Sequence, residues 1–150
     1  MPPPLLNLAT EAGYHQHYIA TCCKAPIMTH DGIAVYFDRR RFYHAFFETV
    51  FYRDDTFSPE RAQRMDWIRL TLEDAGADRF QGWNNDKGIY EPHRRVAVAH
   101  QNFVVVVQMG LKQSGQLRAN FVTCYQADRS IGSIRKSPLW DRQACINALI

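Results

Sequence analysis

Apolar residues recur at helical spacing in the first half of the chain and at strand spacing in the second. Gly32-Ile33-Ala34-Val35-Tyr36-Phe37 is β-branched and aromatic, follows a turn-like His30-Asp31-Gly32, and predicts a short strand. Asp38 then offers an N-cap for a helix through RRRFYHAFFETVF, with Phe42, Ala45, Phe46 and Thr49 toward the core. Ser58 and Pro59 open a second helix, SPERAQRMDWIRLTL, which Gly76 ends in the expected C-terminal place. The segment QGWNNDKGIYEP reads as loop with a brief strand around residues 80–83. From Arg94 the pattern changes. Val96–Ala99 and the apolar run Phe103–Met109 predict strands, and Leu117–Tyr125 returns as a hairpin partner across Ser114-Gly115. Alternation in that last strand puts Phe121, Thr123 and Tyr125 on one face and Val122 and Cys124 on the other. A short strand around 134–136 and a terminal helix complete the tail, while residues 1–30 read as irregular or weakly helical. Helices first and an antiparallel meander after them give an α+β domain.

The second helix carries an anomaly. At about 100° per residue, Met65, Ile68 and Leu72 fall within about 40° of Arg61. Arg61 therefore shares the apolar stripe, and Arg64 sits at its edge. An inward guanidinium is costly unless it meets an anion or lines a wet cleft. Either it does so, or Arg61 snorkels to a carboxylate near the helix start. Both alternatives demand an electrostatic partner.

Bulk properties narrow the setting. A chain of 150 residues with 46% hydrophobic content can bury a core as a single domain over 1–150. No apolar run reaches membrane-spanning length, and MPPPLLNLATEAG lacks the basic and apolar regions of a secretory leader. The expected setting is the bacterial cytosol, away from any membrane. A net charge of +3 is too mild to announce nucleic-acid binding by itself. Cys22, Cys23, Cys124 and Cys145 show no zinc-type spacing and read as free thiols, so no metal and no cofactor is expected.

The candidate chemistry consists of cations, hydroxyls and histidines. Thr123 and Tyr125 point their hydroxyls to one side of a strand, toward solvent or a cleft floor. His44, Arg61, Arg64, Arg95, Lys136 and Ser137 could join them. Without a carboxylate cluster, this set suits a phosphodiester better than a carbonyl or a sugar. An imidazole can move protons near neutrality, and an arginine fork matches phosphate. RNA carries its own nucleophile, the 2′-OH. Each residue also has a plainer reading: His44 as a hydrogen-bonded boundary residue, His93 and His100 as strand-end surface groups, Trp67 and Trp83 as packing, and Ser137-Pro138 as a turn. The run Arg39-Arg40-Arg41 opposes the helix dipole and reads as a solvated face or an RNA-backbone contact.

The order YHAFFE, RAQRMDWIRLTL, hydrophobic hairpin, FVTCYQAD and IRKSPLW, over residues 33–140, resembles the phage-associated branch of the barnase–EndoU–colicin E5/D–RelE-like nucleases. That resemblance implies N-terminal helices packed on a roughly four-stranded antiparallel sheet whose floor holds the scissile phosphate. It makes His44 the acid–base group, with Arg61 and Arg64 binding or bracing phosphate. Thr123 and Tyr125 become strand hydroxyls at the phosphate, with Ser137 a polar group on the last strand. It also implies metal-independent cleavage of RNA (tRNA or mRNA) to a 2′,3′-cyclic phosphate, and neutralisation by a protein antitoxin or immunity protein. Two alternatives stand beside this endoribonuclease: a catalytically silent RNA- or protein-binding relative, and an ADP-ribosyltransferase. The absence of glutamate between Arg95 and Tyr125 weighs against the last.

Overall fold

A computed structural model describes residues 2–150. Its centre is a six-stranded sheet in the order β1 (Ile27–Met28), β2 (Ala34–Tyr36), β10 (Leu117–Gln126), β9 (Phe103–Leu111), β8 (Val96–His100) and β5 (Asp78–Phe80). All pairings are antiparallel except β2 on β10. Two small ribbons flank it: β3 (Phe47–Glu48) with β4 (Thr56–Phe57), and β6 (Gly82–Asn84) with β7 (Ile89–Glu91). The α+β class therefore holds, but the sheet is wider than four strands and mixed. Helices also stand at both ends of the chain.

The N-terminal segment is better ordered than its weak pattern suggests. Thr10 caps α1 (Glu11–Tyr18) by accepting from the Gly13 N–H at 3.0 Å, and a π-helical turn, Ile19–Cys23, continues it. Tyr14 and Tyr18, four apart, bury the same side of α1. The Tyr18 ring meets Phe37, Phe42, Phe46 and Phe121, while its hydroxyl donates to the Asp38 carbonyl at 2.8 Å. A buried aromatic with a satisfied polar tip costs little in desolvation.

Both long helices of the sequence reading are shorter in the structure. Asp38 does cap, accepting from the Arg40 N–H at 2.8 Å, but only a 3-10 turn (Arg39–Arg41) and α2 (Phe42–Ala45) follow. The chain then turns extended because Phe47 pairs with Phe57 across the ribbon. The second helix splits into α3 (Pro59–Ala62) and α4 (Trp67–Glu73). Between them, backbone bonds reach back three residues, as in Arg64 to Arg61 and Met65 to Ala62. The Leu6 N–H takes the Gln63 carbonyl at 2.8 Å, and the Trp67 indole donates to the Pro3 carbonyl at 2.7 Å. The N-terminal strap thus competes for the groups that a continuous helix would use.

The two faces of the sheet differ. Helices α1–α4 and α6 (Arg142–Leu149) cover one face over a core that includes Phe42, Met65, Ile68, Val105 and Cys124. A smaller cluster, Phe80, Ala97, Val104, Val106 and Val122, lies on the other face beneath α5 (Ile131–Arg135). The expected strand at 134–136 is thus absent. Ile131 and Ile134, three apart, instead make a helical pair against that cluster.

Register along β10 shifts between Phe121 and Thr123, which leaves Val122 as the extra residue of a bulge. Phe121 pairs with Val107 on the helix-covered face, Thr123 with Val106 and Tyr125 with Val104 on the open face, and Cys124 with Val105 on the covered one. Thr123 and Tyr125 therefore share a face as alternation predicts. Phe121 does not share it, and Val122 does.

Three carboxylates act as fasteners. Asp55 accepts the N–H groups of Tyr52, Val50 and Phe51 at 2.9 Å each, which hold its carboxyl well below the usual range. Burial acts against the charged form of Asp31, but hydrogen bonds from Arg79 and Thr29, with Arg142 adding to them, prevail and hold it low. Asp74 is held low by His100 and the Gly76 N–H. Because each carboxyl binds its proton more weakly when folded, its stabilisation is present above the ordinary carboxylate range, near pH 4, and is lost as pH falls through the folded pKa. The melting temperature should therefore drop between about pH 5 and about pH 3; a flat profile there would contradict these fasteners. Phe42 is fully buried, and Phe42→Ala should cost about 3–5 kcal/mol in chemical denaturation.

Candidate functional site

Three buried, unpaired polar side chains gather at one end of the sheet, where β8 ends, β9 begins and β10 ends. A cavity of about 190 Å³ is lined by Glu48, Glu60, Arg61, Arg64, Tyr125 and Gln126. A smaller one, about 100 Å³, is lined by Pro2, Trp67, His100, Gln101, Asn102, Phe103 and Gln126. Gln126 belongs to both. Among the described residues, five buried side-chain polar atoms lack a hydrogen-bond partner, and three of them belong to these walls: Arg64 Nε, His100 Nε2 and Gln126 Oε1. Buried polar groups are ordinarily paired, so this end of the sheet is the candidate site.

Register explains the gathering. Phe103 lies opposite both His100 on β8 and Gln126 on β10, so the three side chains form one row across the strands. Trp67 stands edge-on to Phe103, ring centres 5.6 Å apart, and the Arg64 guanidinium lies 5.2 Å from the Trp67 ring centre. The Arg64 Nη1 donates to the Glu60 carbonyl at 2.9 Å, and the Arg61 Nη1 to the Phe47 carbonyl at 3.2 Å. Neither guanidinium forms an ion pair among the described residues, although Glu48 and Glu60 share their cavity. Arg61 is thus half-buried beside a carbonyl, and Glu48 is engaged by the Ser58 hydroxyl at 3.1 Å.

Tyr125 connects this end of the sheet to a third cavity, about 380 Å³, on the open face. Arg95, Ser137, Ser133, Trp83 and Tyr90 line that space with it. Burial pushes the Tyr125 phenol up from its ordinary pKa, while the charges of Arg95 and Arg61 pull the other way. The phenol remains protonated near neutrality, a hydrogen-bond donor set between two cations. Arg95 holds φ at +49°, a left-handed conformation rare for a side-chain-bearing residue. Close approach fixes this backbone: a Cβ on Gly82 would run into the Arg94 carbonyl and stand 2.6 Å from the Arg95 oxygen.

The other sequence candidates divide. Thr123 is buried on the open face opposite Val106, and Ser137 lines the third cavity with Arg95. Lys136 is exposed at the end of α5 and lines none of these cavities. His44 lines none of them either. Its Nδ1 meets an Asp54 carboxylate oxygen at 2.8 Å, and Asp54 adopts a left-handed φ of +53° to reach it.

Sequence reasoning passed over His100, Asp74, Gln126, Glu48 and Glu60. His100 Nδ1 lies 2.7 Å from the Asp74 carboxylate, which orients the ring, while Nε2 is buried without a partner. The pairing spans 26 residues, and no local pattern carries it. Among the described residues no cluster of three His, Cys, Asp or Glu side chains has the makings of a metal centre. The four cysteines are free, and burial raises the Cys22 thiol to about 11. No helix is long and apolar enough to cross a membrane. No protein family, curated protein or solved structure matches the chain.

If Gly82 sets the Arg95 backbone, Gly82→Ala should lower the melting temperature more than Gly132→Ala, whose added methyl meets open space. Equal melting temperatures for the two variants would remove this support from beneath Arg95.

Proposed function

We propose that the protein is a metal-independent endoribonuclease of toxin type, with its scissile phosphate held at Tyr125 between Arg61 and Arg95. The observation that carries this reading is the convergence of Arg61, Arg64 and the protonated Tyr125 phenol on one cavity beside His100, Arg64 and Gln126 atoms that have no partner. Guanidinium forks and a phenol donor complement the charge that builds on phosphate oxygens during in-line attack.

In the proposed reaction a base removes the 2′-OH proton and the 2′ oxygen attacks phosphorus. The P–O5′ bond breaks, and an acid protonates the departing 5′ oxygen. The products are a 2′,3′-cyclic phosphate and a 5′-hydroxyl. Glu48 or Glu60, which line the cavity with Arg61 and Tyr125, can take the 2′-OH proton, and His100, held by Asp74 at the adjoining cavity, is the imidazole proposed to give one to the 5′ oxygen. Arg61 and Arg64 neutralise the non-bridging oxygens, and Tyr125 donates to one of them.

Purified protein incubated with total RNA in excess EDTA should yield fragments ending in 2′,3′-cyclic phosphate. Arg61→Ala should slow cleavage by about 10²–10³. Its cost in stability should be only about 1 kcal/mol, because the guanidinium bonds a carbonyl rather than a buried carboxylate. His100→Ala should slow cleavage by about 10²–10⁴ while His44→Ala cleaves normally; the reverse result would return the acid–base role to His44. Tyr125→Phe should keep its melting temperature yet lose activity, and full activity would remove Tyr125 from the site. An EDTA-inhibited or absent cleavage would overturn the reading.

A further inference from the structure

A cavity of about 650 Å³ lies away from the sheet end and has no part in the chemistry above. Tyr36, Asp38, Arg40, Arg41, Gln108 and Asn120 form its rim, with Val122 on its floor. Its position follows from the register. Asn120 on β10 lies opposite Gln108 on β9 and Tyr36 on β2, so two side-chain amides and a phenol stand together on the open face. Arg118 shares that face, its guanidinium 4.3 Å from the Tyr36 ring centre and its Nη2 donating to the Asn120 side-chain oxygen at 3.3 Å.

Val122 floors this cavity, and Val106 floors the one that holds Arg95 and Tyr125. Thr123 follows Val122 on β10 and pairs with Val106, so the two cavities flank one patch of sheet, against which Ile131 and Ile134 of α5 pack. They lie in line on this face as the two ends of one trough, the first toward β2 and the second toward β8 and the β6–β7 ribbon. At about 4.8 Å per strand, the four steps from β2 to β5 span about 19 Å. One end carries Tyr36 beneath Arg118. The other carries the exposed pair Trp83 and Tyr90, ring centres 5.0 Å apart. Arg41, Arg118 and Arg95 supply positive charge along it, while Arg40 and Asp38 offset one another in an ion pair at 3.3 Å.

We infer that this trough binds single-stranded RNA, with one base held in the cavity of Tyr36, Gln108 and Asn120. The inference rests on the endoribonuclease reading for its choice of RNA, and it adds a base-binding subsite remote from the scissile phosphate. Aromatic platforms at both ends with arginines between them match the stacking and backbone contacts that single strands require. Paired side-chain amides can address the hydrogen-bonding edge of a base, which makes this cavity the place where base preference arises. The run Arg39-Arg40-Arg41 gains a role here: its second and third arginines face the trough, beside the backbone of the bound strand.

The test is fluorescence anisotropy with a labelled 2′-O-methyl RNA 12-mer, whose blocked 2′ oxygen cannot attack, so that binding is read apart from cleavage. The wild type should bind with an affinity that falls as salt rises. Asn120→Ala and Gln108→Ala, both on the solvent side of the sheet, should each weaken binding by about tenfold, the scale of one lost base contact. Tyr36→Ala should do the same, and Lys24→Ala should have no effect. Salt-sensitive binding that all three trough variants leave intact would overturn the inference while the endoribonuclease reading stands. So would an absence of binding. Trough-dependent binding by a protein that fails to cleave unmodified RNA would uphold the inference and overturn the endoribonuclease reading.

Discussion

One extra residue in β10 governs how the chain presents its chemistry. With Val122 bulged, Cys124 turns into the helix-covered core and Thr123 and Tyr125 turn to the open face. Strict alternation from Phe121 would send Thr123 and Tyr125 beneath the helices, where their hydroxyls would need partners in an aromatic core. The register shift avoids that cost. It also places Tyr125 where the sheet-end cavity and the open-face trough meet, so that Arg61 and Arg95 approach the phenol from different elements.

The remaining architecture holds that strand in place. The long β9 lies between β8 and β10 and is buried along most of its length, as its run of valines requires. On the covered face, Tyr18 and Phe42 join α1, α2 and β10 through ring contacts. At the far edge, Asp31 gathers Arg79 and Arg142 from positions 48 and 111 residues away, tying the β1–β2 turn to β5 and α6. Among the described residues, left-handed backbone at side-chain-bearing positions is limited to Asp54, Arg95 and Gln101, and two of these, Arg95 and Gln101, line the candidate cavities.

These features give the proposed nuclease a division of labour. The sheet end concentrates unpaired polar atoms and two guanidinium groups in small cavities suited to one phosphate. The open face offers a wider, aromatic-ended surface suited to a strand. Tyr125 joins the two, so a nucleic acid lying along the trough would present its backbone to Arg61 and Arg64 at one place.

The sequence by itself determined the α+β class, the β9–β10 hairpin, the Asp38 and Ser58 caps and the electrostatic oddity of Arg61. All of these follow from spacing, propensity or side-chain chemistry within a few neighbours. Tertiary structure decided the rest. The helix from Ser58 broke because Leu6 and Pro3, some sixty residues earlier, bind its backbone and its tryptophan. Segment 131–135 became helix because Ile131 and Ile134 had an apolar patch to cover. His100 lies at the candidate site because it reaches Asp74 and falls in one row with Phe103 and Gln126 only once the strands align. Local pattern fixes which backbone a segment can adopt, but which side chains share a cavity depends on contacts between residues far apart in sequence, and no local window contains them.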